Sequence, residues 1–264
     1  MDSHDVSSAG RRAADHPLLE NAARVGYAAS GLLHLLIGWI ALQLAWGASG
    51  HSADQSGAMA SLASNGPGKA LLWVVALGLI GLGLLNLLQG AYQHRGSDDA
   101  AHRGKDIAKG ITYLVLAWPA TRFATGGSSS SKQQTNDLTA SLMQAPGGRV
   151  LVGLVGLVIL GVAGYHVYKG WAKTFMEDLT RDPGEVAEQA GRVGYTAKGL
   201  ALGVLGVLFV SGAAKGSTKD TGGLDSALRT LLEQPFGKWL LTLVGLGFVA
   251  YAVYSFFRAR YARV

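Results

Sequence analysis

Six long apolar stretches alternate with shorter polar segments along the chain. They cover residues 25–46, 69–92, 107–123, 149–171, 193–211 and 236–258. Most approach the ~20 residues that cross a hydrocarbon core of ~30 Å. Each is apolar around the whole helix circumference, which is typical of a helix in lipid rather than of a half-buried surface helix. The pattern predicts six transmembrane helices. The third is the weakest, because it contains Pro119 and ends near Arg122.

A two-span pattern occurs three times. The motif Arg-Val-Gly-Tyr-x-Ala-x-Gly opens the first span at 24–31 and the fifth at 192–199, and a weaker copy at 103–110 opens the third. Because each copy contains two helices, every copy enters the membrane from the same side. The sequence therefore predicts an all-α integral membrane protein. Its six transmembrane helices form three tandem helical hairpins with pseudo-threefold symmetry about the membrane normal.

The repeats divide the chain into a polar tail and three two-span segments. The tail covers residues 1–20, and the repeats cover 21–95, 100–172 and 188–260. In the segments between the two spans of a repeat, short periodic runs at 58–62 and 224–232 predict amphipathic helices on the outer surface.

Charge supports the membrane assignment and gives an orientation. Only 15% of the residues are charged, against about 25% in soluble proteins. Of the Lys and Arg residues, fifteen fall on the side of the termini and eight on the opposite side, so both termini are expected in the cytoplasm. The net charge of +6 then indicates affinity for anionic lipid headgroups on the cytoplasmic side, and not nucleic-acid binding.

Two motifs carry a family resemblance. The Arg-Val-Gly-Tyr-x-Ala-x-Gly copies at 24–31 and 192–199, with Gln-Pro-Phe-Gly-Lys-Trp-Leu-Leu at 234–241, resemble a bacterial membrane family known as domain of unknown function 1206. The resemblance covers about residues 21–260, although the middle copy lacks the Gly-Tyr pair. The resemblance implies three repeats of two helices each and a multi-pass protein of the bacterial inner membrane. It does not imply any activity.

A few polar side chains inside the spans are candidates for function. His34 lies near mid-depth of the first span, where an ionisable group is costly. The others occupy matching positions in different repeats, where hydrogen bonding between helices or snorkelling to headgroups is the structural alternative. The candidate residues that line a pore or contact a solute or lipid are His34, Asn86, Lys109, His166, Lys198, Arg24, Arg103 and Arg192.

Nothing in the sequence indicates an enzyme. There is no pair of carboxylates within the spans, no histidine spacing typical of a metal site and no phosphate-binding glycine loop. The sequence predicts a protein without catalytic residues, bound metal or cofactor.

Two functions fit these observations. The first is a passive pore or carrier for a small solute, an anion if the cations face a wet axis. The second is a non-catalytic lipid-binding or membrane-assembly (scaffold) protein, whose partners are lipids, further copies of the chain or another membrane protein. In the second case the cations face headgroups instead.

Overall fold

A computed structural model describes residues 17–47, 50–92, 100–218 and 221–262. Residues 1–16 of the predicted polar tail lie outside this range. The described chain is almost entirely helical. Its helices are α1 (Pro17–Ala45), α2 (Gln55–Ala63), α3 (Gly66–Tyr92), α4 (Ala100–Ala124), α5 (Ser131–Gln144), α6 (Gly148–Trp171), α7 (Glu185–Lys215), α8 (Gly223–Leu232) and α9 (Gly237–Tyr261), with a short 3₁₀ helix at Thr174–Asp178.

Five of the described helices are long and apolar enough to cross a membrane. They are α1, α3, α6, α7 and α9. The predicted helical membrane protein is confirmed at this level. The helix of the predicted third span, α4, is 25 residues long and runs through Pro119, but charged residues crowd its first turns. This charge lowers its hydropathy, in agreement with its being the weakest of the six apolar stretches.

The chain forms two compact units. The first comprises Met1–Asp54 and Lys132–Val264, and the second Gln55–Ser131. In the first unit α6 packs along α7, α9 packs along α1, and α9 also contacts α7. In the second unit α3 packs along α4. The long pairs α3–α4 and α6–α7 thus join the end of one repeat to the beginning of the next.

Small residues make the same helix contact in each long pair. A Cβ atom added at the final Gly of the opening motif, or at its weaker copy, would lie close to a carbonyl oxygen of the partner helix. Measured from the added Cβ atom, the distances are 3.2 Å at Gly31 to Ala252 O, 2.9 Å at Gly110 to Gly83 O, and 2.8 Å at Gly199 to Ala163 O. Because small residues let helix backbones approach closely, the repeated motif determines which face of each helix is packed.

Local sequence signals position α7, the helix that carries Lys198. It begins after Gly184, and Glu185 and Glu188 lie in its first turn, where carboxylates interact favourably with the helix dipole. It ends with Lys215 and with Gly216 in the left-handed conformation at φ 66°, a conformation that glycine adopts without a steric penalty.

Short helices also lie where the periodic runs predict them. The run at 58–62 falls within α2, and the run at 224–232 falls within α8. On α8 the buried residues include Asp225 and Leu228, so this helix packs one face against the first unit.

Candidate functional site

The predicted site residues divide between the two units. His34, His166, Lys198, Arg24 and Arg192 belong to the first unit, whereas Asn86, Lys109 and Arg103 belong to the second. Three residues of the first unit, His34, His166 and Lys198, share one aromatic environment.

Lys198 lies inside α7 with its ammonium group over an aromatic ring. Its Nζ is 4.5 Å from the centre of the Tyr251 ring on α9. It lies 13 residues after Glu185, the first residue of the helix, which corresponds to roughly 20 Å along the axis. Among the residues that the structure describes, no carboxylate lies within ion-pair distance of Lys198. A cation–π contact therefore stabilises this charge, which is half-buried inside an apolar helix.

Two histidines from different helices lie near Lys198, His34 on α1 and His166 on α6. The His34 ring is 4.5 Å from the Tyr251 ring, and its Nδ1 is 2.8 Å from Ser30 O. The His166 ring is 5.8 Å from the Tyr195 ring, and its Nδ1 is 2.8 Å from Val162 O. Lys198 is close enough to both imidazoles to act on each electrostatically. Each histidine bonds within its own helix through Nδ1, so its Nε2 edge is directed away from that bond.

A layer of packed aromatic side chains lies between Lys198 and the end of the unit at which α6 ends and α7 begins. We call it the tyrosine layer. It consists of Tyr195, Tyr251, Tyr254 and Phe175, all of them buried. Tyr195 stacks on Phe175 at 5.4 Å between ring centres and meets Tyr251 edge to face at 5.1 Å. The Tyr254 hydroxyl donates to Phe175 O at 3.0 Å. The four rings therefore pack against one another as one buried cluster.

The segment 172–184 between α6 and α7, here called the strap, closes this end of the unit. Thr180 N–H donates to Tyr261 O at 2.8 Å, and Leu179 forms a bridge with Ala262. Phe175 of the strap is fully buried in the tyrosine layer. The strap therefore crosses the end of α9 and is fixed to it.

Asp178 of the strap joins two cations from different helices. Its Oδ2 accepts from Lys169 Nζ at 2.7 Å and lies 3.3 Å from the terminal nitrogen of Arg258. Nothing in the sequence near Asp178 indicates this contact, because α6 and α9 supply the two cations. Asp178 is thus a residue of this site that the sequence did not predict.

The remaining candidates of the first unit lie at the strap end. Arg24 is half-buried near the beginning of the apolar part of α1. The Arg192 carbonyl accepts from Thr196 Oγ1 at 2.8 Å and lies where Gly170 of α6 comes close to α7.

In the second unit the candidates lie along the α3–α4 pair. Arg103 Nε donates to Gly90 O of α3 at 3.0 Å, so this arginine joins the two helices. Lys109 pairs with Asp106 at 3.2 Å, and its side chain is 59% exposed. Asn86 is half-buried on α3. Lys109 and Lys198 match in sequence register, but Lys109 has a carboxylate partner.

A second feature that the sequence did not reveal lies at the opposite end of the first unit. Asp225 of α8 is 2% exposed. Its Oδ1 accepts from Ala53 N–H at 2.9 Å, and its Oδ2 accepts from Arg229 Nε at 2.9 Å. Lys132 Nζ lies 4.0 Å from the same carboxylate. Asp225 therefore joins chain segments that are distant in sequence.

Comparison with known proteins assigns the chain to a family. The family described as Domain of Unknown Function (DUF1206) matches residues 25–93, 106–173 and 193–262. The chain belongs to the DUF1206 family. This confirms both the resemblance and the internal repeat.

One relative of this DUF1206 chain is described as an uncharacterised protein. Protein YxxB of Bacillus subtilis (strain 168) is 29% identical over 255 residues, which make up 93% of this chain and 92% of the relative. No solved structure matches the chain. Since the family description names no activity, the function of the DUF1206 chain has to be argued from its own side chains.

The DUF1206 chain also has an apolar groove of about 660 Å³ between α6, α7 and the end of α8. Gly164, Gly199 and Gly203 form part of its lining, and Thr230 and Gln234 lie at the α8 end. Apart from those two, the lining residues are apolar, so the groove can hold hydrocarbon.

Within the described residues, no group of three or more metal-binding side chains is present. The site around Lys198 consists of one cation, two imidazoles that are hydrogen-bonded to carbonyls of their own helices, and buried tyrosines.

Proposed function

We propose that the chain crosses the bacterial inner membrane six times, as three hairpins about a pseudo-threefold axis along the membrane normal. In this arrangement α4 is the third span and completes the set of six, because it is long enough and packs along the apolar helix α3. The equivalent small-residue contacts in the three long helix pairs support the symmetry. The excess of cations on the side of the termini supports their cytoplasmic location, which also places the strap in the cytoplasm.

Within that arrangement the chain acts as a passive carrier for a small anion and not as an enzyme. The observation that carries this proposal is Lys198, a cation inside a candidate membrane-spanning helix that contacts the Tyr251 ring and lies near two histidines. Ionisable residues at such positions commonly mark a solute or ion path. An anion entering this site would meet the full positive charge of the Lys198 ammonium group, which carries three hydrogen-bond donors.

The packed tyrosine layer favours a carrier over a permanently open pore. Tyr195 and Tyr251 separate Lys198 from the strap and are both buried. A solute that passes this point requires the layer to move. We therefore expect saturable transport at a limited rate instead of channel-like conductance.

The proposal is tested by flux into vesicles made of phosphatidylcholine alone. Purified protein is reconstituted, and chloride uptake (with a halide-quenched dye) and radiolabelled lactate uptake are measured separately. We expect at least one of the two anions to enter faster than in protein-free vesicles. We expect Lys198→Gln to slow that uptake about tenfold, since a loss of 1.4 kcal/mol of binding free energy gives this factor.

The matched control is Lys215→Gln, which removes the same charge from the exposed far end of the same helix. It should leave the rate within twofold of the wild type, as is common for exposed substitutions. Uptake of both anions at the protein-free rate, or an equal loss in the two variants, would reject the carrier. Lys109→Gln in the same assay tests whether the second unit contributes to the path.

The apolar groove supports a second candidate function, lipid binding. It opens within the membrane-spanning part of α6 and α7 and has polar groups only near Thr230 and Gln234. An acyl chain fits this lining, with its ester or headgroup beside the two polar residues. A protein of this kind would act by holding lipids, or by assembling with further copies or other membrane proteins through them.

Filling the groove should displace the lipid. A Cβ atom at Gly203 meets only Ala163 Cβ at 4.0 Å, so Gly203→Leu places a side chain in the groove without a backbone clash. We expect this variant to lose most of the lipid that remains bound to the wild type in native mass spectrometry. Gly161→Leu on α6, with no atom within 4 Å of its Cβ and outside the groove lining, should retain it. Equal lipid retention in the two variants would contradict the assignment.

A further inference from the structure

At the cytoplasmic edge of the tyrosine layer, Asp178 forms ion pairs with Lys169 and Arg258, here called the cation pair. Its Oδ2 lies 2.7 Å from Lys169 Nζ and 3.3 Å from the terminal nitrogen of Arg258. The side chains of all three residues are partly exposed, at 28% for Asp178, 14% for Lys169 and 22% for Arg258. All three charged side chains are therefore in partial contact with solvent.

Arg258 has hydrogen-bonding capacity that Asp178 does not use. Among the described residues, no acceptor lies within hydrogen-bond distance of its buried Nε. Buried donors in folded proteins are nearly always paired, and a guanidinium group can bind a carboxylate through two parallel N–H···O bonds. Only one side of this fork contacts Asp178. The unused side is buried, so a second carboxylate oxygen reaches it once Asp178 has left the pair.

The cation pair is continuous with the site around Lys198. Lys169 Nζ lies 5.5 Å from the centre of the Tyr195 ring. Tyr195 contacts Tyr251, whose ring lies beneath Lys198. Lys169 and Lys198 thus contact neighbouring rings of the tyrosine layer, and an anion leaving Lys198 toward the strap would meet Lys169 and Arg258 next.

We propose that Asp178 is a tethered carboxylate that competes with the transported solute, and that this solute is a small monocarboxylate. This inference rests on the proposed carrier function. A free carboxylate takes both N–H groups of the Arg258 fork and displaces Asp178 from it. Two cations and one aspartate leave a net charge of +1 at the pair, which one monocarboxylate neutralises. While Asp178 remains in place, the exit toward the cytoplasm is occupied.

Removing the tethered charge should raise carboxylate transport. The assay uses the phosphatidylcholine vesicles at about pH 7.5, where lactate is ionised. We expect Asp178→Asn to increase lactate uptake about fivefold, because the cation pair is then free for the solute for a larger fraction of the time. Glu188→Gln is the matched control. It breaks the ion pair between Lys173 of the strap and α7, but leaves Lys169, Arg258 and Asp178 intact, and should not increase lactate uptake.

The solute class is tested by replacing the fork while keeping its charge. Arg258→Lys retains a cation but loses the planar pair of donors. We expect lactate uptake to fall more than fivefold relative to chloride uptake in this variant, as a planar two-point contact is lost. An equal change for the two anions would reject the carboxylate assignment.

A labelling measurement keeps Asp178 in the protein and does not depend on the folding of the Asn variant. The chain has no cysteine, so Leu179→Cys places a single thiol at a buried strap position. We expect lactate to increase the rate of maleimide labelling at this thiol, because Asp178 leaves the cation pair. An increase with phosphatidylserine but not with lactate would identify a lipid headgroup as the carboxylate source and overturn the proposal.

The outcomes separate the two levels of inference. In one outcome, lactate uptake depends on Lys198 and yet is unchanged by Asp178→Asn, or is raised equally by Glu188→Gln. Either result rejects Asp178 as a tethered competitor but does not contradict the carrier function. Transport of chloride without lactate rejects the monocarboxylate alone. Uptake of neither anion above the protein-free rate rejects the carrier itself.

Discussion

Replacing Gly194 with Ala should destabilise the protein by about 3 kcal/mol, the upper end of the usual cost of overpacking. A Cβ atom at this position would lie 2.5 Å from Tyr251 Cα and 2.6 Å from Tyr251 N. Both are backbone atoms of α9, so no side-chain rotation relieves the overlap and α7 has to move away from α9. In detergent we expect the thermal unfolding midpoint to fall by about 8 °C, given 2–4 °C per kcal/mol for chains of comparable size.

The control for Gly194 is the same glycine in the other complete copy of the motif. No atom lies within 4 Å of a Cβ added at Gly26. Gly26→Ala should therefore leave the midpoint unchanged or raise it slightly, since Ala in an exposed helix position is up to about 1 kcal/mol more favourable than Gly. Similar decreases in the two variants would show that the motif acts through helix geometry and not through the contact between α7 and α9.

This comparison illustrates what the repeat can and cannot predict. The two Arg-Val-Gly-Tyr copies are identical in sequence, and the pattern correctly indicates a helix at each. Their surroundings differ because packing depends on the helix that happens to lie opposite, and that helix is not encoded in the motif. The final motif glycines, by contrast, make equivalent contacts in all three copies, so here the repeat also predicts the packed face.

The candidate site was predictable only in part for a similar reason. Lys198 and the two histidines stand out in the sequence because polar groups inside apolar spans are costly. Their shared contact with the tyrosine layer arises because α9 packs against both α1 and α7, and because α6 packs along α7. Asp178 lies in a polar loop that contains other acidic residues, and only the fold distinguishes it as the one held by Lys169 and Arg258.

A large effect is also expected at the opposite end of the first unit, from Asp225→Ala. The carboxylate is 2% exposed and accepts one bond from Ala53 N–H and one from Arg229 Nε, each at 2.9 Å. When the carboxylate is removed, the backbone N–H group of the fully buried Ala53 loses the acceptor that Asp225 provides. Leaving a buried donor unpaired costs about 1–3 kcal/mol, and losing the ion pair adds to this. We expect a total of about 3 kcal/mol, measured as a lower thermal midpoint in detergent and faster hydrogen exchange at Ala53.

Two variants separate the hydrogen bond from the charge and from general effects of removing an aspartate. Asp225→Asn keeps an oxygen that can accept from Ala53 N–H, so it should lose only about half as much stability and retain slow exchange at Ala53. Asp137→Ala removes an exposed carboxylate on α5 and should stay within about 0.5 kcal/mol of the wild type. If Asp225→Asn were as unstable as Asp225→Ala while exchange at Ala53 remained slow, the charge pairing with Arg229 and Lys132, and not the backbone bond, would be the main contribution of Asp225.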